Sequence, residues 1–180
     1  LAGEPLKAAA CYEKIHNFQR AHKIYLEAKD FPSAGRVLAL YYQSRVSDPS
    51  ASQNISLSLR KIALQSGRLF ILGGRFREAG EILAAGAWHR EAGNAYAQAR
   101  DVKSAIAQYM KGLALEEAAA LYEQTGNKTM AARLRAKLCV TKGDYSQAAE
   151  HLEGIQDFEE AADLYKKAKM WSKAADMLRK

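Results

Sequence analysis

The chain is expected to be all-α, a right-handed α-α superhelix of about ten to twelve short antiparallel helices. Two sequence observations lead to that class. Ala21, Ala34, Ala79, Ala92, Ala105, Ala118, Ala148, Ala161 and Ala174 stand thirteen residues apart within each unbroken run. All but Ala92, which has His89 there, have an apolar residue three positions before them, and all have Tyr or Leu four after, offsets that fall on one helix face. Composition agrees, with only three prolines in 180 residues, abundant alanine and no strand-like alternation.

The unit is therefore a helix of about ten residues followed by a turn. Such a helix is shorter than the roughly 12 to 15 residues that hold together alone in water, so every unit must borrow stability from its neighbours. Alanine in mid-helix lets two axes approach closely, while Phe, Tyr and Leu fill the space between layers. In the first run, Phe18-Ala21-Tyr25 and Phe31-Ala34-Leu38 define two helices. In the second, Phe76-Ala79-Leu83, Val102-Ala105-Tyr109 and Leu115-Ala118-Tyr122 repeat the pattern. In the third, Tyr145-Ala148-Leu152, Phe158-Ala161-Tyr165 and Trp171-Ala174-Leu178 do so. Asn17, Asp30, Asp101, Asn127, Asp144 and Asp157 lie four before the alanine position, where a short polar side chain caps the next helix. Asp157 with Glu160 reads as a capping box.

The repeat skips twice. After Tyr41-Tyr42, residues 43–54 are polar and turn-rich around Asp48-Pro49, a loop or hinge separating repeats 1–42 from repeats 55–180. A longer helix then runs from Ile55 to about Gly73, with Gly73-Gly74 as its left-handed terminus. The second skip is the seventeen-residue step from Ala131 to Ala148, one helical turn longer than the rest. Both skips are basic. Arg60, Lys61, Arg68, Arg75 and Arg77 in residues 55–77, and Lys128, Arg133, Arg135, Lys137 and Lys142 in residues 126–143, have no acidic residue among them and carry much of the net charge of +7.

Chemistry-bearing patterns are absent from this reading. His16, His22, His89 and His151 have no metal-site spacing and read as ordinary helix residues. Gly126-Asn127-Lys128-Thr129 only superficially resembles a phosphate-binding loop and reads as a helix-to-helix turn. Cys11 and Cys139 are expected to be buried free thiols. The sequons at Asn54 and Asn127 carry little weight without a secretory signal. No enzymatic activity, cofactor or metal is expected of this segment, which reads as intracellular, without membrane insertion, and as a piece of a larger protein.

At the level of residues, the stretch Asp157–Ala175 and Gly143-Asp-Tyr-Ser-Gln-Ala-Ala149 resemble the tetratricopeptide family and its short-helix relatives. Two units here span 26 residues rather than that family's 34, which is more similar to the solenoid arms of clathrin heavy chain, coatomer and intraflagellar transport scaffolds. The resemblance implies the right hand of the superhelix and protein–protein interaction through a groove or edge, without naming a partner. The expected contact residues are Arg60, Lys61, Arg68, Arg75, Arg77, Arg133, Arg135, Lys137 and Lys142. Their charge fits an acidic protein segment, with nucleic acid as an alternative and self-association or a spacer role as another.

Overall fold

The computed structural model describes residues 3–47 and 56–180, which form twelve helices and no strand among the described residues. They are α1 (Gly3–Lys14), α2 (Phe18–Glu27), α3 (Phe31–Val46), α4 (Leu57–Leu72), α5 (Phe76–Ala85), α6 (His89–Gln98), α7 (Val102–Lys111), α8 (Leu115–Gln124), α9 (Lys128–Lys142), α10 (Tyr145–Glu153), α11 (Phe158–Lys167) and α12 (Trp171–Met177). They make two compact units, Leu1–Gln108 and Tyr109–Lys180. Within each unit helices pack on their sequence neighbours, so the chain is an all-helical repeat.

The thirteen-residue period has a backbone cause. Residues 16, 29, 74, 87, 100, 113, 126, 143, 156 and 169 all have positive φ between 54° and 83°. Each stands five before a ladder alanine or, for Gly126, before Ala131, and only Gly74, Gly126 and Gly143 among them are glycine. The residue after each donates its N–H to the carbonyl five back, as Asp30 does to Tyr25 at 2.9 Å and Met170 to Tyr165 at 2.9 Å. This closes one helix through a left-handed residue and makes the donor the N-cap of the next. Ten helical residues, a C-cap, the left-handed residue and an N-cap together fill the period, as in Phe18–Glu27, Ala28, Lys29 and Asp30.

The expected caps Asn17, Asp30, Asp101, Asn127 and Asp144 each accept from the backbone N–H three residues on. Asp157 does not, so the predicted capping box with Glu160 is absent. Its carboxylate accepts instead from Arg133 Nη2 at 3.0 Å, and a charged partner outcompetes the local N–H. The two hydrogen bonds from Ser104 hold the Asp101 carboxyl below its usual range.

The ladder alanines are the core. Ala21, Ala34, Ala79, Ala92, Ala105, Ala118, Ala148 and Ala161 have no exposed surface, and a second small residue beside them is often buried too, as at Gly35, Gly80, Gly93, Ala119, Ala149 and Ala162. The Tyr/Leu positions are buried from Tyr25 to Tyr165 with Tyr122 half-buried, but Leu178, beyond the end of α12, is 61% exposed. The residues three before the alanines are half-buried, apart from buried Leu115 and exposed Trp171. In the second unit Tyr165 donates its hydroxyl to Glu153, and burial with that carboxylate pushes its pKa up to about 12.

The interruptions are longer helices. α3 runs on through Val46, so residues 43–46 are helical rather than loop, and 48–54 lie outside the described residues. α4 begins at Leu57, capped by Ser56, and packs on α3. There Ser66, fully buried, donates its hydroxyl to the Gly35 carbonyl at 2.7 Å. A Cβ on Gly67 would sit 2.5 Å from Leu83 Cγ, so only glycine admits α5 that close. α9 has fifteen residues and ends at left-handed Gly143, which accounts for the seventeen-residue step. Cys11 is exposed, contrary to expectation, because it lies about 200° around α1 from buried Ala9. Cys139 is half-buried, and burial raises its thiol pKa.

Candidate protein-binding surface

The nine expected contact residues fall in both units, five in Leu1–Gln108 and four in Tyr109–Lys180. Most of the arginines are engaged internally. Arg60 donates Nε to the Gly86 carbonyl at 3.2 Å and Nη2 to that of Ala87 at 3.4 Å, satisfying the C-terminal end of α5. Its guanidinium lies 5.1 Å from the ring centroid of Trp88, whose Nε1–H donates back to the Arg60 carbonyl at 2.7 Å. Tyr42 completes this end by donating to Ala85 at 2.7 Å. Arg75 pairs with Glu78, whose carboxyl is held below the usual range by that hydrogen bond, and Arg77 reaches Glu81 and Asp101.

In the second unit Arg135 donates to Glu123 at 2.6 Å and to Glu116 at 3.4 Å. The Arg135 hydrogen bond holds the Glu123 carboxyl below its ordinary value. Arg133 is held by Asp157, as above. That leaves Lys61, Arg68, Lys137 and Lys142 exposed, with no ion pair among the described residues. Arg60, Arg133 and Arg135 are engaged by acceptors distant in sequence, which the charge run alone did not contain, whereas Arg75 and Arg77 also meet Glu78 and Glu81 one helical turn further along.

Of these four, Lys137 borders a well-formed groove. Arg133 in the second turn of α9 meets Asp157 at the N-cap of α11, so α9 and α11 run in the same direction with α10 returning behind them. Between them lies an open groove of about 410 Å³. One wall is the α9 face Arg133, Ala136, Lys137 and Val140, the other the α11 face Glu160, Asp163, Leu164 and Lys167, and Leu152 of α10 closes the floor. Both walls follow the i, i+3, i+4, i+7 rows of a helix. The floor is apolar and the rims are charged, with Val140 36% exposed on the lip. The α11 wall escaped the sequence reading because Glu160 and Asp163 look like ordinary solvated helix residues; only the parallel placement of α9 brings them opposite Lys137.

The first unit has related openings between odd-numbered helices. One of about 660 Å³ lies between α1 and α3, and one of about 260 Å³ between α3 and α5, both lined by Arg36, Leu40 and Gln43. There Arg36 is tied to Glu13 across the opening. Among the described residues no group of His, Cys, Asp and Glu is arranged to hold a metal ion, and no helix is long and apolar enough to cross a membrane. His22 donates its Nδ1–H to the Ala34 carbonyl at 3.2 Å and His89 pairs with Gln108 at 3.0 Å, while His16 takes a left-handed turn position rather than a helical one. Burial lowers the His22 pKa.

No family model matches the chain, and no curated protein matches it.

Proposed function

We propose that this helical repeat is a non-enzymatic interaction scaffold of the tetratricopeptide-like, short-helix type, and that it binds a segment of a partner protein in the groove between α9 and α11. The observation that carries this reading is the groove itself, an apolar floor with charged rims presented by two helices of the repeat. Concave sites of this composition take peptide segments, because the floor supplies burial and the rims supply register. Lys137 belongs to the expected basic contact set, and its free charge favours an acidic element in the partner.

The regular rungs serve as the frame. Their alanines and tyrosines are consumed by packing, so recognition falls to side chains on the rims. A nucleic-acid role is less favoured, since Arg60, Arg75, Arg77, Arg133 and Arg135 are already engaged by carbonyls or carboxylates. Affinity purification from cells with the wild-type protein and with the V140E/K137E double variant tests the reading. Both sites are solvent-facing, so the variant is expected to keep its helical circular dichroism while losing a defined subset of partners. Identical partner sets from a folded variant would remove this groove as the binding site.

A further inference from the structure

One contact recurs between consecutive helices of the first unit. The residue just after a ladder position packs against the ladder residue of the following helix, or against the residues three and four beyond that. Ser66, thirteen before Ala79, is the ladder residue of α4. His22 donates to the Ala34 carbonyl, and Ser66 to that of Gly35. A Cβ on Gly35 would lie 3.3 Å from Leu69 Cβ and from Phe70 Cδ1, and one on Gly80 would lie 2.9 Å from the Tyr96 ring. Each helix therefore has two unlike faces. Its ladder side enters the contact with the preceding helix, and the side one residue on receives the following helix.

α1 and α12 each leave one of these faces uncovered, and they are opposite faces. In α12 the ladder residue Ala174 is buried but Ala175 is exposed, in a row with Trp171 and Leu178, 66% and 61% exposed. In α1 the order is reversed. Ala9 is buried, whereas Ala8, thirteen before Ala21, is exposed in a row with Cys11 and with Ile15, which is 69% exposed. The rows follow the i, i+4, i+7 and i, i+3, i+7 spacings of one helix face, and an apolar row left in water marks a contact surface.

We propose that copies of this chain join head to tail, α1 of one copy seating on α12 of the next as one rung seats on another. Ala8 and Tyr12 of the arriving copy take the ladder and four-beyond positions over Ala175. Alanine beneath tyrosine is the pairing that α10 and α11 already bring to these positions with Ala149 and Tyr165, both buried in one core cluster. Cys11, expected from the sequence to be buried, is covered in this contact. The two surfaces differ, so the interface is heterologous and every copy carries one of each kind.

Sedimentation velocity of the full chain from low micromolar to near-millimolar concentration is expected to show a mass rising above the 19.9 kDa of one copy. Ala8→Glu and Ala175→Glu each place a charge on one row. Both sites are exposed, so both variants are expected to keep their helical circular dichroism and to stay at the mass of one copy. Mixed in equal amounts they are expected to reach about twice that mass, because the intact α12 of A8E meets the intact α1 of A175E. A wild type that stays at the mass of one copy, a mixture that does so, or a single variant that still associates overturns the proposal, the last by showing a face that pairs with itself. Cross-linking gives a second readout. The 3.3 Å from a Cβ on Gly35 to Leu69 Cβ is close to the roughly 3.5 to 4.5 Å of a disulfide. Ala175 and Cys11 of the next copy are the corresponding pair, so C139S/A175C with oxidised glutathione is expected to form disulfide-linked copies, and C11S/C139S/A175C none. Absence of links in the first, or links that survive in the second, overturns the head-to-tail contact. V140E/K137E is expected to associate as the wild type does, so this proposal and the groove reading fail separately.

Discussion

α4 and α9 are alike in sequence and unlike in use. Each is one of the longer helices, sixteen and fifteen residues, each is rich in Lys and Arg, and neither contains an acidic residue. In α4 the buried side does the distinguishing: Ser66 and Gly67 allow α3 and α5 to close on it, and Arg60 turns back to satisfy the carbonyls at the end of α5. In α9 the arginines are held at the rim by carboxylates of α8 and α11, and Lys137 is left over a groove. A run of positive charge therefore has no fixed meaning. Its role depends on whether the neighbouring helices present carbonyls, carboxylates or an opening.

The largest expected contrast is in packing. Gly67→Val in α4 drives a branched side chain into Leu83, which is almost fully buried, and is expected to lower stability by about 1 to 3 kcal/mol in urea unfolding. Lys137→Val in α9 introduces the same side chain on an exposed rim and is expected to stay within about 0.5 kcal/mol. Similar losses at both sites would mean that α4 is not the tighter contact.

Next comes the arginine contrast. Arg60→Ala leaves the Gly86 and Ala87 carbonyls without their donors and removes the guanidinium from Trp88, an expected cost of about 1 to 2 kcal/mol. Arg133→Ala breaks one rim ion pair and is expected to cost less than about 1 kcal/mol. Denaturant midpoints for the two variants decide this, and a larger loss for R133A would reverse the comparison. Trp88 fluorescence is expected to change in R60A and not in R133A.

Both long helices end on a left-handed glycine, Gly74 and Gly143, where the ten-residue rungs mostly carry other residues. Gly143→Ala is expected to cost about 1 kcal/mol, because the strain of left-handed alanine exceeds the gain from a stiffer unfolded chain. Lys169→Gly, at the equivalent position after α11, relieves that strain and is expected to raise stability by about 0.5 kcal/mol. A thermal midpoint that falls in K169G would show that Lys169 makes a contact worth more than its backbone conformation.

These positions mark the limit of what the residues disclose. The alanine ladder, the helix class and five of the six expected caps are legible because each rests on a local rule, small residues at helical spacing or a short polar side chain at a helix start. The left-handed positions are not, since His16, Lys29, Arg100, Leu113, Gln156 and Lys169 have nothing in common but their phase in the repeat. Asp157 has the cap's residue type and position but turns to Arg133, a competition settled by a residue twenty-four away. Of the groove, the α9 wall stands out by its charge, whereas the α11 wall is defined only by parallel placement.

The smallest expected effect separates the rim of α9 by pH. Arg135 donates to Glu123 and holds that carboxyl below its ordinary value, so the folded form keeps the charge to lower pH than the unfolded chain does. Between the two values the unfolded state binds more protons, so stability rises with pH there. The contribution is present above the ordinary carboxylate range, about 4.3, and is lost as pH falls through the folded value. Arg135→Gln returns Glu123 toward its ordinary value and is expected to flatten the thermal midpoint between about pH 3 and 5, with little change at pH 7 in high salt. Arg60→Met in α4 is expected to leave the acid slope untouched, because Arg60 is bound to carbonyls that do not titrate. Parallel acid slopes in R135Q and R60M would mean that the two basic helices hold their arginines in the same way after all.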